Sequence, residues 1–282
     1  MRNTVLKEMD KCSGCGLCET VCPAQAIKME YDKSGFIYPV IQKEKCIDCG
    51  LCERKCVVKT VSVEYPRTCY AGVHLDEKIR AKSSSGGMFA ALAEYTLEQG
   101  GVVFGAAVVP KGKIVTVKHI MIKNKEELKK LQGSKYVQSD IRECYTNVKQ
   151  QLAEGKKVLF SGTPCQVAAM KNYLGKEYDD LLLVDLVCHG TPSILHWEKS
   201  IEEKLQKDEK VSAVSFRGKE GYMQGEIEFK TEADRIRKEN YSFRNDSYYS
   251  MFLNADSYRE GCYQCQYARP ERDGDITIGD FW

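Results

Sequence analysis

The sequence predicts an α+β chain of two unequal units: a small cysteine-rich one over residues 1–66, then a larger α/β unit with a mixed sheet over residues 67–282. Three observations carry this. A twelve-residue cysteine run occurs twice, at Cys12 and at Cys46, and nowhere else. Apolar runs of strand length alternate with helical stretches only after Pro66, where a proline marks the join. A length of 282 residues also exceeds what one compact unit usually needs.

Composition narrows the class. Apolar residues at 43% and charged residues at 29% suit a packed core under a solvated surface. A net charge of +2 offers no field for nucleic acid or a charged membrane surface. No stretch approaches the roughly 20 apolar residues of a membrane span. The start, MRNTVLKEMDKCSGCG, has no apolar signal region. The expectation is a cytoplasmic chain with no nucleic-acid partner and no membrane span. In such a chain, 14 cysteines point to metal ligation and away from disulfides.

The small unit is a tandem. CSGCGLCETVCP begins at Cys12 and CIDCGLCERKCV at Cys46, so all four cysteines recur at an offset of 34 residues. The spacing C-x2-C-x2-C-x3-C is the iron–sulfur run of bacterial ferredoxins, in which the fourth cysteine serves the other cluster. One [4Fe-4S] cluster is therefore expected on Cys12, Cys15, Cys18 and Cys56, and a second on Cys46, Cys49, Cys52 and Cys22. Structural zinc favours separated C-x2-C pairs over such triplets. Gly14, Gly16 and Gly50 leave the backbone free to wrap a cluster. Val57 replaces the proline that usually follows the fourth cysteine, but all eight ligands remain. A β-like segment follows each run, AIKMEY and then TVSVEY.

In the larger unit, strands are expected at 70–74, 102–109, 113–120, 157–160, 181–188 and 211–216. Helices are expected in GMFAALAEYTLEQG and DIRECYTNVKQQLAEG. In the second helix Ile141, Cys144, Tyr145, Val148 and Leu152 share a face, and Gly155 suits the end. VVPKGKIV reads as a hairpin turning at Lys-Gly. Strand–helix alternation with a hairpin predicts the mixed sheet. DGDITIGDFW reads as a strand or turn. Its two large apolar final residues, Phe281 and Trp282, give the expectation that the natural chain continues.

Six cysteines lie outside the tandem. Cys144, on the apolar helix face, reads as core, and Cys69, at a strand entry, as structural. Cys165 in FSGTPCQ and Cys188 each follow a strand, where an open α/β sheet forms its ligand crevice. Cys262 and Cys265 form the tight pair CYQC. These last four supply the number of soft ligands a third [4Fe-4S] cluster needs. A nucleophilic role for Cys165 would call for a neighbouring base, and none is apparent.

SSSGGMFAAL, GSKYVQS, FSGTPCQV, LVCHG, SFRGKEGY and GDITIGDFW occur in this order. Together they resemble the coenzyme F420 hydrogenase/dehydrogenase beta-subunit family over about residues 67–282. The resemblance implies an iron–sulfur flavoprotein oxidoreductase that binds FAD beside a cluster. It also implies transfer between one-electron carriers and a two-electron acceptor, which is the deazaflavin coenzyme F420 in some members. Other members resemble chlorophyll-pathway reductases, so the resemblance does not name the acceptor. Members usually extend beyond the position of Trp282.

The resemblance turns SSSGG at 83–87 into a candidate FAD site, with Ser84, Ser85, Gly86 and Gly87 at a helix N-terminus; a plain helix entry is the alternative. It does the same for Ser134, Lys135 and Tyr136, with a solvated lysine as the alternative for Lys135. His189 reads as structural. Arg217 and Lys219 read as anion contacts or as a solvated loop. Asp280 and Trp282 fall near the CYQC pair without a role. The expected partners are a redox partner protein or complex subunit and a small-molecule electron acceptor or donor. The competing reading is a non-enzymatic electron-transfer subunit.

Overall fold

The computed structural model describes residues 8–59, 64–66, 68–218 and 224–280. In the small unit, α1 (Leu17–Thr20) and α2 (Leu51–Arg54) are the same single turn repeated. Each is entered from a glycine in the left-handed region, Gly16 at φ 75° and Gly50 at φ 68°. A side chain there would strain the backbone, so the repeated glycine sets the repeated turn. Between them, β1 (Ile27–Tyr31) pairs antiparallel with β2 (Ile37–Ile41). Pro39 obscured β2 in the sequence; it is tolerated because both strands of a two-stranded ribbon are edges. Most of the strand expected in TVSVEY, residues 60–63, lies outside the described residues.

The strand expected at 70–74 does not form. Its backbone lies against the turn at Gly86, whose carbonyl accepts from His74 N–H at 2.6 Å, and Tyr70 is 86% exposed. The chain then runs through α3 (Glu77–Arg80), α4 (Met88–Glu98), β3 (Val102–Lys111), β4 (Ile114–Ile122), α5 (Arg142–Ala153), β5 (Val158–Gly162), α6 (Pro164–Leu174) and β6 (Leu181–Leu186). It continues through α7 (Ile194–Glu202), β7 (Glu209–Ser215), β8 (Gln224–Thr231), β9 (Ile236–Ser242), α8 (Ser247–Leu253), α9 (Glu260–Tyr263) and β10 (Ile276–Ile278). The expected hairpin is β3–β4, but it turns one residue later than expected, at Gly112 and Lys113, because Lys111 still pairs with Ile114.

The main sheet has the order β10-β6-β5-β3-β4. Its first four strands run parallel and β4 is antiparallel at the edge, so the sheet is mixed as expected. Alternation along β3 assigns its faces: Phe104 packs with α5 and α6, and Val103 packs with α4. The core under α5 and α6 extends into the small unit through Leu17 and Val57. A second sheet, β7-β8-β9, packs with α7 and α8 around Trp197, Phe216 and Tyr249.

The units are pinned by side chains reaching carbonyls. Tyr145 Oη donates to Cys15 O at 3.0 Å, Gln138 Nε2 to Ser13 O at 2.9 Å, and Tyr267 Oη to Val57 O at 3.1 Å. Arg142 adds an ion pair to Glu19 at 3.0 Å. No helix among the described residues is long and apolar enough to cross a membrane.

Candidate electron-transfer site

The eight tandem cysteines line two separate spaces. Cys12, Cys15, Cys18 and Cys56 surround one, together with Gly16, Leu17, Met29 and Val57. Cys22, Cys46, Cys49 and Cys52 surround the other, together with Ile27, Ile41 and Ile47. Four thiols in an apolar lining are the donor chemistry of a [4Fe-4S] cluster, and the fourth cysteine of each run reaches across to the other space. No three His, Cys, Asp or Glu side chains among the described residues gather as a single metal ion would require. A cubane instead takes each thiolate on its own iron.

Burial sets the state of these thiols. It pushes Cys12 up to about 11 and Cys56 up to about 12, and it raises Cys18 well above the usual thiol range. Such thiols stay protonated at neutral pH unless a metal displaces the proton.

The third set is assembled by the parallel sheet. β5 and β6 are neighbours in register, so the segments leaving them emerge side by side at the carboxyl edge. After β5, Thr163 and Gln166 form a capping box around Pro164, with Gln166 Oε1 accepting from Thr163 N–H at 3.1 Å. Pro164 is therefore the first residue of α6 and not a turn residue, and Cys165 sits in that helix's first turn. After β6 comes Cys188. A bridge between Pro192 and Tyr258, and the Arg259 N–H donating to Thr191 O at 2.8 Å, bring the CYQC segment alongside. Cys165 lies within electrostatic reach of Cys188 and Cys262, and Cys188 within reach of Cys262 and Cys265. Four thiols at one edge again match the donor set of a cluster.

Cys165 is the least suited of the four to attack a substrate. Burial raises its thiol far above the usual range, and its polar neighbour is Thr163 Oγ1 at 3.2 Å, which is not a base. Cys165 also lies within electrostatic reach of Cys15 in the small unit. Cys144 is in the core with its thiol on His119 O, and Cys69 is exposed. His189 is exposed and meets Phe252 and Tyr258 edge-on.

The two candidate flavin segments meet each other. Ser134 N–H donates to Ser84 Oγ at 2.6 Å, and the two hydroxyls are 2.9 Å apart. Arg217 joins them: its Nε donates to Tyr136 Oη at 2.5 Å, its Nη1 to Ser84 O at 3.3 Å, and its Nη2 pairs with Asp280 at 2.6 Å. Hydroxyls, an aromatic ring and a guanidinium in one place are a donor set that suits a flavin nucleotide. Ser85 is half-buried at the same turn.

Three other residues of these segments are engaged within the chain. A Cβ on Gly86 would sit 2.5 Å from Gly72 O, so this glycine permits close backbone packing. Gly87 is the left-handed N-cap of α4, at φ 86°. Lys135 turns inward, its ammonium on Leu131 O and Gln132 O at 2.7 and 2.8 Å, and burial pulls it down to about 7. Lys219 and Trp282 lie outside the described residues. Sequence reasoning missed Gln138 and Arg259, which bond each other within the larger unit at 2.8 Å and reach across the junction to the carbonyls of Ser13 and Ile37.

Comparison with known proteins follows the same division. Residues 11–60 match the 4Fe-4S dicluster domain. Residues 69–144 match the N-terminal part, and residues 155–281 the C-terminal part, of the coenzyme F420 hydrogenase/dehydrogenase beta subunit. No curated protein matches. Among solved structures, the chain is similar to one in the xenon-derivatised F420-reducing [NiFe] hydrogenase complex from Methanosarcina barkeri, at 18% identity and a TM-score of 0.44. The match covers 70% of this chain and 66% of that one, just under two thirds of the latter.

Proposed function

The chain belongs to the coenzyme F420 hydrogenase/dehydrogenase beta-subunit family, and from that premise we propose that it is an iron–sulfur flavoprotein oxidoreductase. It would pass electrons between ferredoxin-type clusters and a two-electron acceptor, coenzyme F420 or another soluble substrate, through FAD. Bound clusters supply one-electron carriers, and bound flavin couples them to two-electron chemistry.

The observation that carries this reading is that Cys15 of the tandem packs against the same core as Cys165 and Cys265, which joins the tandem to the cysteines at the sheet edge. Cys12, Cys15, Cys18 and Cys56 would hold the inner cluster, and Cys22, Cys46, Cys49 and Cys52 the outer one. Cys165, Cys188, Cys262 and Cys265 would hold the third. Tyr145 and Tyr267 are buried in the core against which Cys15 and Cys165 pack, and their rings would help keep water from the path between them. Ser84, Ser85, Ser134, Tyr136 and Arg217 would orient the flavin. Lys135 would act behind them, bracing the turn it closes. The substrate and any complex partner belong to this proposal too.

One observation favours a second reading, an electron-transfer subunit whose substrate site lies on a partner. Gly86 and Lys135 are already engaged within the chain. Anaerobic reconstitution separates the two. The first reading predicts about twelve irons per chain, four per cluster, with one flavin. Intact clusters with flavin near zero would establish the second. Cys165→Ser should lower the count to about eight irons; a full count in that variant would sink the third ligand set.

A further inference from the structure

Arg259 is buried at the junction of the two units with no acid beside it. It is 1% exposed. Its Nη1 donates to Ile37 O at 3.0 Å and its Nη2 to Gln138 Oε1 at 2.8 Å. The guanidinium lies over the rings of Tyr38 and Phe36, at 4.8 and 5.3 Å. Its Nε is buried without a hydrogen-bond partner, and among the described residues it forms no ion pair with a carboxylate. The loop of the inner cysteine set closes over it: a Cβ on Gly14 would stand 2.6 Å from Nη2.

A desolvated cation needs an anion nearby. Two cysteines from different sets feel this one. Gly14, which the guanidinium touches, donates its N–H to Cys12 Sγ at 3.4 Å, and Cys262, three residues after Arg259, donates its N–H to Arg259 O at 2.8 Å. Arginine keeps its charge at any working pH, so the effect is fixed. A cluster gains negative charge on reduction, and a fixed cation therefore favours its reduced form.

We propose that Arg259 is a positioning residue shared by two clusters, the counter-cation that raises the potentials of both the inner ferredoxin-type cluster and the third cluster. The proposal assigns the outer cluster, on Cys22, Cys46, Cys49 and Cys52, no share in this effect. This rests on the ligand reading given above. The consequence is a local sink: an electron reaching the junction is held there, next to the sheet edge, in preference to the exposed outer site.

The test is a redox titration of the full reconstituted chain, followed by electron paramagnetic resonance. Arg259→Gln keeps donors and removes the charge. It should retain about twelve irons per chain. It should lower the inner and third midpoints by about 59 mV or more, a tenfold change in each one-electron reduction constant, and leave the outer one unmoved. Arg259→Lys, which keeps the charge, should restore both. Gln138→Glu leaves the guanidinium in place but pairs it, and should shift the same two midpoints downward. That variant decides the matter should Arg259→Gln fail to fold. Unchanged midpoints, movement of only one of the two, or equal movement of all three would overturn the proposal. A wild-type chain holding only about eight irons would overturn it through its premise, and the iron count distinguishes that case.

Discussion

The two halves of the cysteine tandem share their ligand spacing and their helical turns, yet their surroundings are opposite. Cys15 and Cys49 are equivalent positions, 34 residues apart. The carbonyl of Cys15 accepts from Tyr145 of the larger unit at 3.0 Å, whereas that of Cys49 accepts from the module's own Arg54 at 2.9 Å. Ser13 is half-buried and its carbonyl is taken by Gln138; its counterpart Ile47 is 66% exposed. Pro23 is exposed and its counterpart Val57 is 2% exposed. A duplicated motif thus fixes which atoms can hold iron, and the protein around each copy fixes what that iron can reach. The division runs by ligand set and not by copy: the inner set, with Cys56 and Val57 from the second run, lies against the larger unit, and the outer set, with Cys22 and Pro23 from the first, lies toward solvent.

The largest expected effect comes from breaking one cluster at a time. Cys56 is the fourth cysteine of the second run but lines the inner space, and Cys22 is the fourth of the first run but lines the outer one. Cys56→Ser should therefore remove the cluster buried against the larger unit. Metal binding there contributes to folding, so a loss on the order of 4 kcal/mol is expected, alongside about four irons. Cys22→Ser should lose as much iron with a clearly smaller fall in thermal stability. Equal destabilisation by the two variants would show that the inner cluster does not brace the junction.

The next contrast is apolar. Val57 packs in the core shared by both units, so Val57→Ala should cost about 1.5 kcal/mol in denaturant unfolding. Pro23→Ala, at the matching exposed position, should stay within about 0.5 kcal/mol. This contrast also explains the one departure from the ferredoxin pattern: where the usual proline would stand, the chain carries a residue buried against the larger unit.

What could be read from the sequence follows the same line. Both tandem ligand sets were legible because one loop's spacing determines them. Five of the six strands expected in the larger unit end within two residues of their expected ends. The failures have physical causes. The segment 70–74 has strand composition but no ladder to join. Helix α6 is hidden in the sequence because Gly162 and Pro164 flank its start, although Thr163 and Gln166 spell a capping box. Strands β8 and β9 were missed because their outward residues are charged, as in GEIEFK and IRKEN. Least legible were Gln138, Tyr145, Arg259 and Tyr267. Each recognises a backbone carbonyl more than a hundred residues away, and a carbonyl carries no side-chain signature.

Tyr267 offers the finest test of the comparison between the halves. The Val57 carbonyl accepts two hydrogen bonds from the larger unit, one from Gln266 Nε2 and one from Tyr267 Oη at 3.1 Å. Tyr267→Phe removes only the second. Its ring stays in the core, and the Val57 carbonyl keeps a partner, so no buried acceptor is left bare. The cost should therefore fall at the low end for a hydrogen bond, about 0.5–1 kcal/mol. In a chain of this size that is a shift of roughly 2–4 °C in Tm. Iron content should not change, because no ligand is touched. At the outer set the matching carbonyl contact is local: Arg54→Ala at Cys49 should leave Tm nearly unmoved, since Arg54 is exposed. If the two variants shift Tm alike, the asymmetry between the halves lies in packing around Leu17 and Val57 alone, and the polar contacts contribute nothing to it.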